Sequence, residues 1–155
     1  MQTSRAAIDN FLGLHRIAVV GVSRNEKDFS RMLWKELRKR GYDLVPVNRN
    51  GGIIDGLPVY PDIASIDPEP EGVLLMVPAA ESMEPVRQAV RIGVKGIWFY
   101  RAVGQGAVSP EALEVAQKFG RNVVAGECPF MFLPNSGAPH SWHRVWKRLT
   151  GTLPA

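Results

Sequence analysis

The sequence predicts a doubly wound α/β fold, with a parallel sheet of about five strands and helices on both faces. Three observations predict it. Short β-branched runs alternate with segments of helical spacing along most of the 155 residues. The strand candidates lack the polar alternation of a half-exposed sheet, which marks strands covered on both faces. The helical segments stop at Gly41, Gly93 and Gly120, and glycine is a common helix terminator.

The elements follow in order. A helix near Ser4–Leu12 precedes the first strand, Ile17–Val20, which ends at Gly21. Glu26 to Arg40 reads as a helix, because Phe29, Leu33 and Leu37 recur at steps of four. Tyr42–Val47 is the second strand. Arg49–Asp67 is rich in Gly and Pro and reads as loop with one short helix, an abbreviated crossover. Val73–Val77 is the third strand, Glu81–Ile92 a helix, and Gly96–Tyr100 the fourth strand. Pro110–Phe119 is a helix with Ser109 as its cap, Pro110 at its first position and Glu111 in its first turn. Asn122–Ala125 is the fifth strand. A last helix near Pro139–Leu149 carries Trp142, Val145, Trp146 and Leu149 on one stripe. Right-handed crossovers lead to an expected strand order of 3-2-1-4-5. Residues 1–155 form one domain on this reading, with a core at about 14–128.

Composition narrows the function classes. The chain is 45% hydrophobic and 22% charged, which excludes a disordered chain and a collagen-like repeat. The lone cysteine, Cys128, excludes an internal disulfide and fits a reducing compartment. Apolar stretches such as Val73–Pro78 are far shorter than the roughly 20 residues of a membrane helix. No signal-peptide pattern stands at the N-terminus. A cytoplasmic protein with no membrane attachment is expected. The net charge of 19 − 15 = +4 suits a small anionic ligand and is too weak to point to nucleic acid.

In this fold class ligands lie at the carboxyl ends of the strands, where the winding reverses. The loops there are Gly21–Ser30, Pro46–Asn50, Val77–Glu81 and Tyr100–Gln105. The first is the most telling. Strand one runs into Gly21-Val22-Ser23-Arg24-Asn25-Glu26-Lys27 and then a helix. Gly21 allows a tight turn and close approach to a phosphate, and the amides of a helix start favour an anion. Ser23 offers a hydroxyl, and Arg24, Lys27 and Arg31 add positive charge. The loop is not the nicotinamide fingerprint: its three glycine positions hold Gly21, Ser23 and Glu26, and strand two ends Pro46-Val47-Asn48-Arg49 without an acid. Arg49 suits a phosphate on the ribose, as in NADP or coenzyme A. No Walker loop is present, so ATP hydrolysis is not indicated.

A set of motifs in fixed order carries a family resemblance. They are I-A-V-V-G-V-S-R-N at Ile17–Asn25, G-Y-D-L-V-P-V-N at Gly41–Asn48, G-L-P-V-Y-P-D-I at Gly56–Ile63, Val77-Pro78, and G-V-K-G-I-W-F at Gly93–Phe99. Together they resemble the small stand-alone CoA-binding proteins, which are similar to the CoA-binding domain of the succinyl-CoA synthetase α subunit. The match spans roughly Leu14 to Cys128. The resemblance implies a Rossmann-like fold that binds coenzyme A or an acyl-CoA, as carrier, sensor or regulatory module without evident catalysis. By this resemblance Gly21, Val22 and Ser23 would hold the pyrophosphate, helped by Lys27, Ser30 and Arg31. Pro46, Val47 and Asn48 would line the adenosine side, with Arg49 near the ribose phosphate. Val77, Pro78 and Met83 would border the pantetheine arm. The chain differs from many relatives at Ser30, where they have glycine, and at Asn48-Arg49, where they have N-P.

Two other readings compete. An NADP-dependent oxidoreductase would use Arg49 on the ribose phosphate, but Val77-Pro78-Ala79-Ala80 offers no polar catalytic group. An interaction protein would dock a partner or a second copy through the Trp and Arg residues of the C-terminal helix. His140 and His143 are too few for a metal site. Cys128 reads as a buried, inert thiol. Glu81 and Glu84 sit at a helix start, where the dipole already accounts for them.

Overall fold

Five short, apolar strands run parallel in one sheet: β1 (Arg16–Val20), β2 (Asp43–Val47), β5 (Gly72–Leu75), β6 (Gly96–Tyr100) and β7 (Asn122–Glu127). Their spatial order is β2-β1-β5-β6-β7. A small antiparallel hairpin, β3 (Ile53–Ile54) and β4 (Leu57–Pro58), lies between β2 and β5 in sequence. The computed structural model describes residues 3–101 and 106–134. The predicted C-terminal helix, with His140, Trp142, His143 and Trp146, lies outside the described residues, as does 102–105.

Among the described residues four α-helices cover the sheet: α1 (Arg5–Leu12), α2 (Phe29–Lys39), α3 (Met83–Ile92) and α4 (Pro110–Lys118). Alternate residues of each strand serve opposite faces. Ile17 and Val19 join Leu33, Trp34 and Leu37 of α2 and Phe11 of α1 in one apolar layer. Ala18 and Val20 join Val86 and Ala89 of α3 and Ala112 and Ala116 of α4 in the other. Both layers are closed to water, so the strands read as continuous apolar runs. This is the expected doubly wound, Rossmann-like arrangement. Among the described residues no helix is long and apolar enough to cross a membrane.

Helix starts follow their caps. Asp28 accepts the Ser30 amide, so α2 begins at Phe29 and not at Glu26. A single 3-10 turn over Ala79–Glu81 precedes α3, which begins at Met83. Ser109 accepts the Ala112 amide and caps α4 as expected.

The strand order corrects the expected 3-2-1-4-5. The strand counted third adds to the far side of β1 from β2, which gives 2-1-3-4-5 over the five strands. The Gly- and Pro-rich segment after β2 forms no helix. It packs Ile63 and Ile66 in the layer of Ala18 and Val20, and so crosses over β1 on that face. Its chain turns at Asp55-Gly56, with φ of 49° and 78°, into the hairpin. Positive φ at both central residues is the two-residue hairpin turn that Asp-Gly favours. Past the hairpin, Tyr60 alone bridges to β2: its N–H donates to the Pro46 carbonyl at 2.9 Å and its carbonyl accepts the Asn48 N–H at 3.0 Å. At the opposite margin, β7 is bulged where Tyr100 pairs with Glu127. There the Thr3 hydroxyl both accepts the Ala125 N–H and donates to its carbonyl, each at 2.9 Å.

Glu71 ties the amino ends of three strands together. Its carboxylate accepts the His15 amide at 2.8 Å, the Arg16 amide at 3.3 Å and the Lys95 ammonium at 2.6 Å. The Lys95 hydrogen bond, then the two amides, lower its pKa from 4.5 to about 2. The unfolded chain therefore binds this proton more readily. The stabilisation is present above pH 4.5 and is lost as pH falls toward 2. Lys95 is 67% exposed, so the pair is screened. Glu71→Gln is expected to lower unfolding free energy by about 1 kcal/mol at neutral pH. Urea titrations across pH should show the gap to wild type narrowing below the ordinary carboxylate pKa; a constant gap would remove the charge from the account.

Candidate functional site

The carboxyl ends of β2, β1 and β5 stand side by side, and the chain leaves β1 between its two neighbours. The Gly21 N–H donates to the Val47 carbonyl at 2.9 Å. Its φ is +91°, and a Cβ there would lie 2.8 Å from both the Met76 carbonyl oxygen and a Val77 methyl. Only glycine fits this passage.

The loop after Gly21 is held by its own side chains. The Ser23 N–H donates to Ser30 Oγ at 2.9 Å, and Ser30 Oγ donates to Asp28 Oδ1 at 2.6 Å. The Asn25 amide donates to Ser23 Oγ and the Lys27 amide to Asn25 Oδ1, each at 3.1 Å. The amides of Val22 and Arg24 donate to no protein acceptor among the described residues. The Arg24 guanidinium reaches across to the carbonyls of Asn50 and Gly51 and joins this loop to the one after β2. The Lys27 side chain is exposed and forms no ion pair among the described residues.

On the α3 side of Gly21 a cleft of about 660 Å³ opens. Its apolar wall includes Val20, Val47, Ile63, Val77 and Met83, and its polar groups include Asn48, Arg49 and Glu81. A hollow of about 430 Å³ adjoins it above Gly21, bordered by Asn48, Val77 and Pro78. Gln88 of α3 fixes the far wall by accepting the Ile63 amide at 2.9 Å. Arg49 and Glu81 form an ion pair and border both spaces. No cluster of three metal-ligating side chains lies among the described residues.

A family profile described as a CoA binding domain matches residues 15–134. The chain belongs to the CoA-binding domain family. A hypothetical protein from Pyrococcus horikoshii OT3 superposes with a TM-score of 0.75 at 30% identity, covering 82% of this chain and 87% of that one. A conserved hypothetical protein from Pyrococcus furiosus gives 0.65 at 29% identity, covering 74% and 95%. The dinucleotide-forming acetyl-coenzyme A synthetase 1 of Ca. Korarchaeum cryptofilum gives 0.66 at 19% identity, covering 77% of this chain and 27% of that one. That last likeness is one of fold.

In this CoA-binding domain six of the expected site residues share the larger cleft: Gly21, Val47, Asn48, Arg49, Val77 and Met83. Pro78 borders the adjoining hollow. Val47 and Asn48, expected on the adenosine side, and Val77 and Met83, expected beside the pantetheine arm, line one space. Val22 is fully buried in the α2 layer and Pro46 is buried within β2. Ser23 is half-buried in the loop, and the Ser30 hydroxyl is engaged with Ser23 and Asp28. Arg31 was expected to help hold the pyrophosphate. It is 3% exposed, and its guanidinium pairs with Asp55 at 2.6 Å, so its charge is already neutralised.

The cleft is also lined by residues that the sequence did not single out. Pro61, Asp62 and Ile63 form the outer wall of the cleft. Their signal was the P-D-I at the end of the third motif. Glu81 is more than a helix-start acid, since it meets Arg49 from 32 positions away. Tyr100 stacks on Phe29 at 5.2 Å between ring centres, and burial pushes its hydroxyl pKa above the usual tyrosine range. Cys128 is buried in the same apolar layer.

Proposed function

We propose that this chain binds coenzyme A or an acyl-CoA across the carboxyl ends of β2, β1 and β5, as a carrier, sensor or regulatory module without chemistry of its own. One observation carries the reading. The cleft, the adjoining hollow and the free amides of Val22 and Arg24 all adjoin Gly21, the switch point of the winding. Such a point is where open α/β sheets take nucleotides.

The cleft volume lies within the range of small-molecule sites, roughly 300–1,000 Å³. The base would lie against Val47, Ile63, Val77 and Met83, with Asn48 at its polar rim. Arg49 would meet the ribose phosphate. The diphosphate would lie over the Gly21–Arg24 turn, with Lys27, which has no ion pair among the described residues, beside it. The uncharged arm would leave past Val77 and Pro78. Among the described residues the cleft lining holds no hydroxyl, thiol or imidazole, and its carboxylates are Asp62, Glu81 and Glu84.

Thermal unfolding with CoA, acetyl-CoA, NADP and ATP tests this. A ligand at a hundredfold excess over Kd adds about 2.7 kcal/mol, or a rise in Tm of roughly 5–10 °C for a chain of this size. The CoA compounds are expected to give the largest rise. Stabilisation by NADP without any by CoA would make the oxidoreductase reading the better one.

A further inference from the structure

Arg49 stands on the loop after β2 and Glu81 on the turn before α3. β2 and β5 flank β1, so their ion pair spans the carboxyl end of β1, above Gly21. Both side chains border the cleft and the hollow. They are accessible, 75% for Arg49 and 45% for Glu81. Solvated pairs of this kind hold little net energy and exchange partners readily. Arg24 and Arg31 are already engaged by carbonyls and by Asp55. Among the described residues Arg49 is held only by a carboxylate, which a stronger acceptor can replace.

We propose that Glu81 is an internal competitor for the ribose phosphate, holding Arg49 while the site is empty and yielding it when the phosphate arrives. The inference rests on the CoA reading above. A phosphate dianion offers the guanidinium more charge than the carboxylate and can accept two of its N–H groups, where Glu81 accepts one. Binding therefore trades one ion pair for another, and the net gain is the difference between them. Glu81 lowers the affinity for a ligand with that phosphate and does nothing comparable for one without it. Its negative charge also keeps small monoanions from settling on Arg49.

Calorimetry with CoA and dephospho-CoA, which lacks the ribose phosphate, tests the inference on wild type, Glu81→Gln, Arg49→Gln and the double variant. Both residues are exposed, so the variants are expected to fold, and thermal unfolding checks it. Glu81→Gln should raise the ratio of CoA to dephospho-CoA affinity by roughly three- to fivefold. Arg49→Gln should lower that ratio, and adding Glu81→Gln to it should restore nothing. An equal gain for both ligands would mean diffuse repulsion and overturn the inference, as would a gain that survives without Arg49. An unchanged ratio in Glu81→Gln would overturn it too. If neither compound binds any variant, the CoA reading itself fails and the inference falls with it.

Discussion

Asp55→Ala is expected to destabilise the protein by about 3 kcal/mol. The Asp55 carboxylate accepts the Arg31 guanidinium at 2.6 Å and the Trp34 indole N–H at 3.0 Å. The Arg31 side chain is 4% exposed, and its Nε already has no acceptor. Alanine would leave the buried Arg31 cation with only the distant Glu26 carboxylate, at 3.9 Å, and the Trp34 N–H without its acceptor. It would also place a Cβ residue without a turn-forming side chain at φ 49°. Asp55 itself is 27% exposed, so water reaches the vacated position, which puts the loss at the lower end of the roughly 3–5 kcal/mol range for breaking a buried pair. For a chain of this size the fall in Tm is roughly 6–12 °C. Asp55→Asn keeps an acceptor for Trp34 and tolerates the turn, and should lose distinctly less. Equal losses for the two variants would show that the charge on Asp55 is irrelevant.

Gly21→Ala should remove CoA binding, with a loss of affinity beyond about tenfold, and cost about 3 kcal/mol in stability. The left-handed conformation accounts for roughly 1–2 kcal/mol. The remainder comes from the new methyl, which meets the Met76 carbonyl oxygen and Val77 at 2.8 Å. Backbone cannot give way as a flexible side chain can, so the exit of β1 must move away from β5. That movement disturbs every group proposed to hold the diphosphate. Gly41 provides the comparison. Its φ is +88°, yet a Cβ there meets nothing within 4 Å. Gly41→Ala should therefore show only the conformational loss, roughly 1 kcal/mol, with CoA affinity retained. If both variants bind CoA alike, the passage at Gly21 is not part of the site.

Much of the fold was legible because local pattern and tertiary role agree. Leu33 and Leu37 recur at helical spacing and are buried against the sheet. Val73, Leu74 and Leu75 form an apolar run and lie fully covered. Strand order was not legible, since nothing local says on which side of β1 a later strand will add. The hairpin was missed although Asp55-Gly56 is a strong turn signal, because two residues on each side are too few to show a period. Gly21, Asn48 and Arg49 could be singled out because loops after strands are few, and all three line the cleft. The Arg31–Asp55 pair was not legible because the partners lie 24 positions apart. A positive charge near a helix start looks the same in sequence whether it awaits a phosphate or already holds a carboxylate.

The lone bridge at Tyr60 has a bearing on self-association. A parallel sheet with open flanks can recruit strands from other molecules. Here one flank is occupied by Tyr60 before the chain turns away, and the other is kinked and fastened to Thr3. Each margin is interrupted at these contacts, which works against a neighbouring strand lengthening the sheet there.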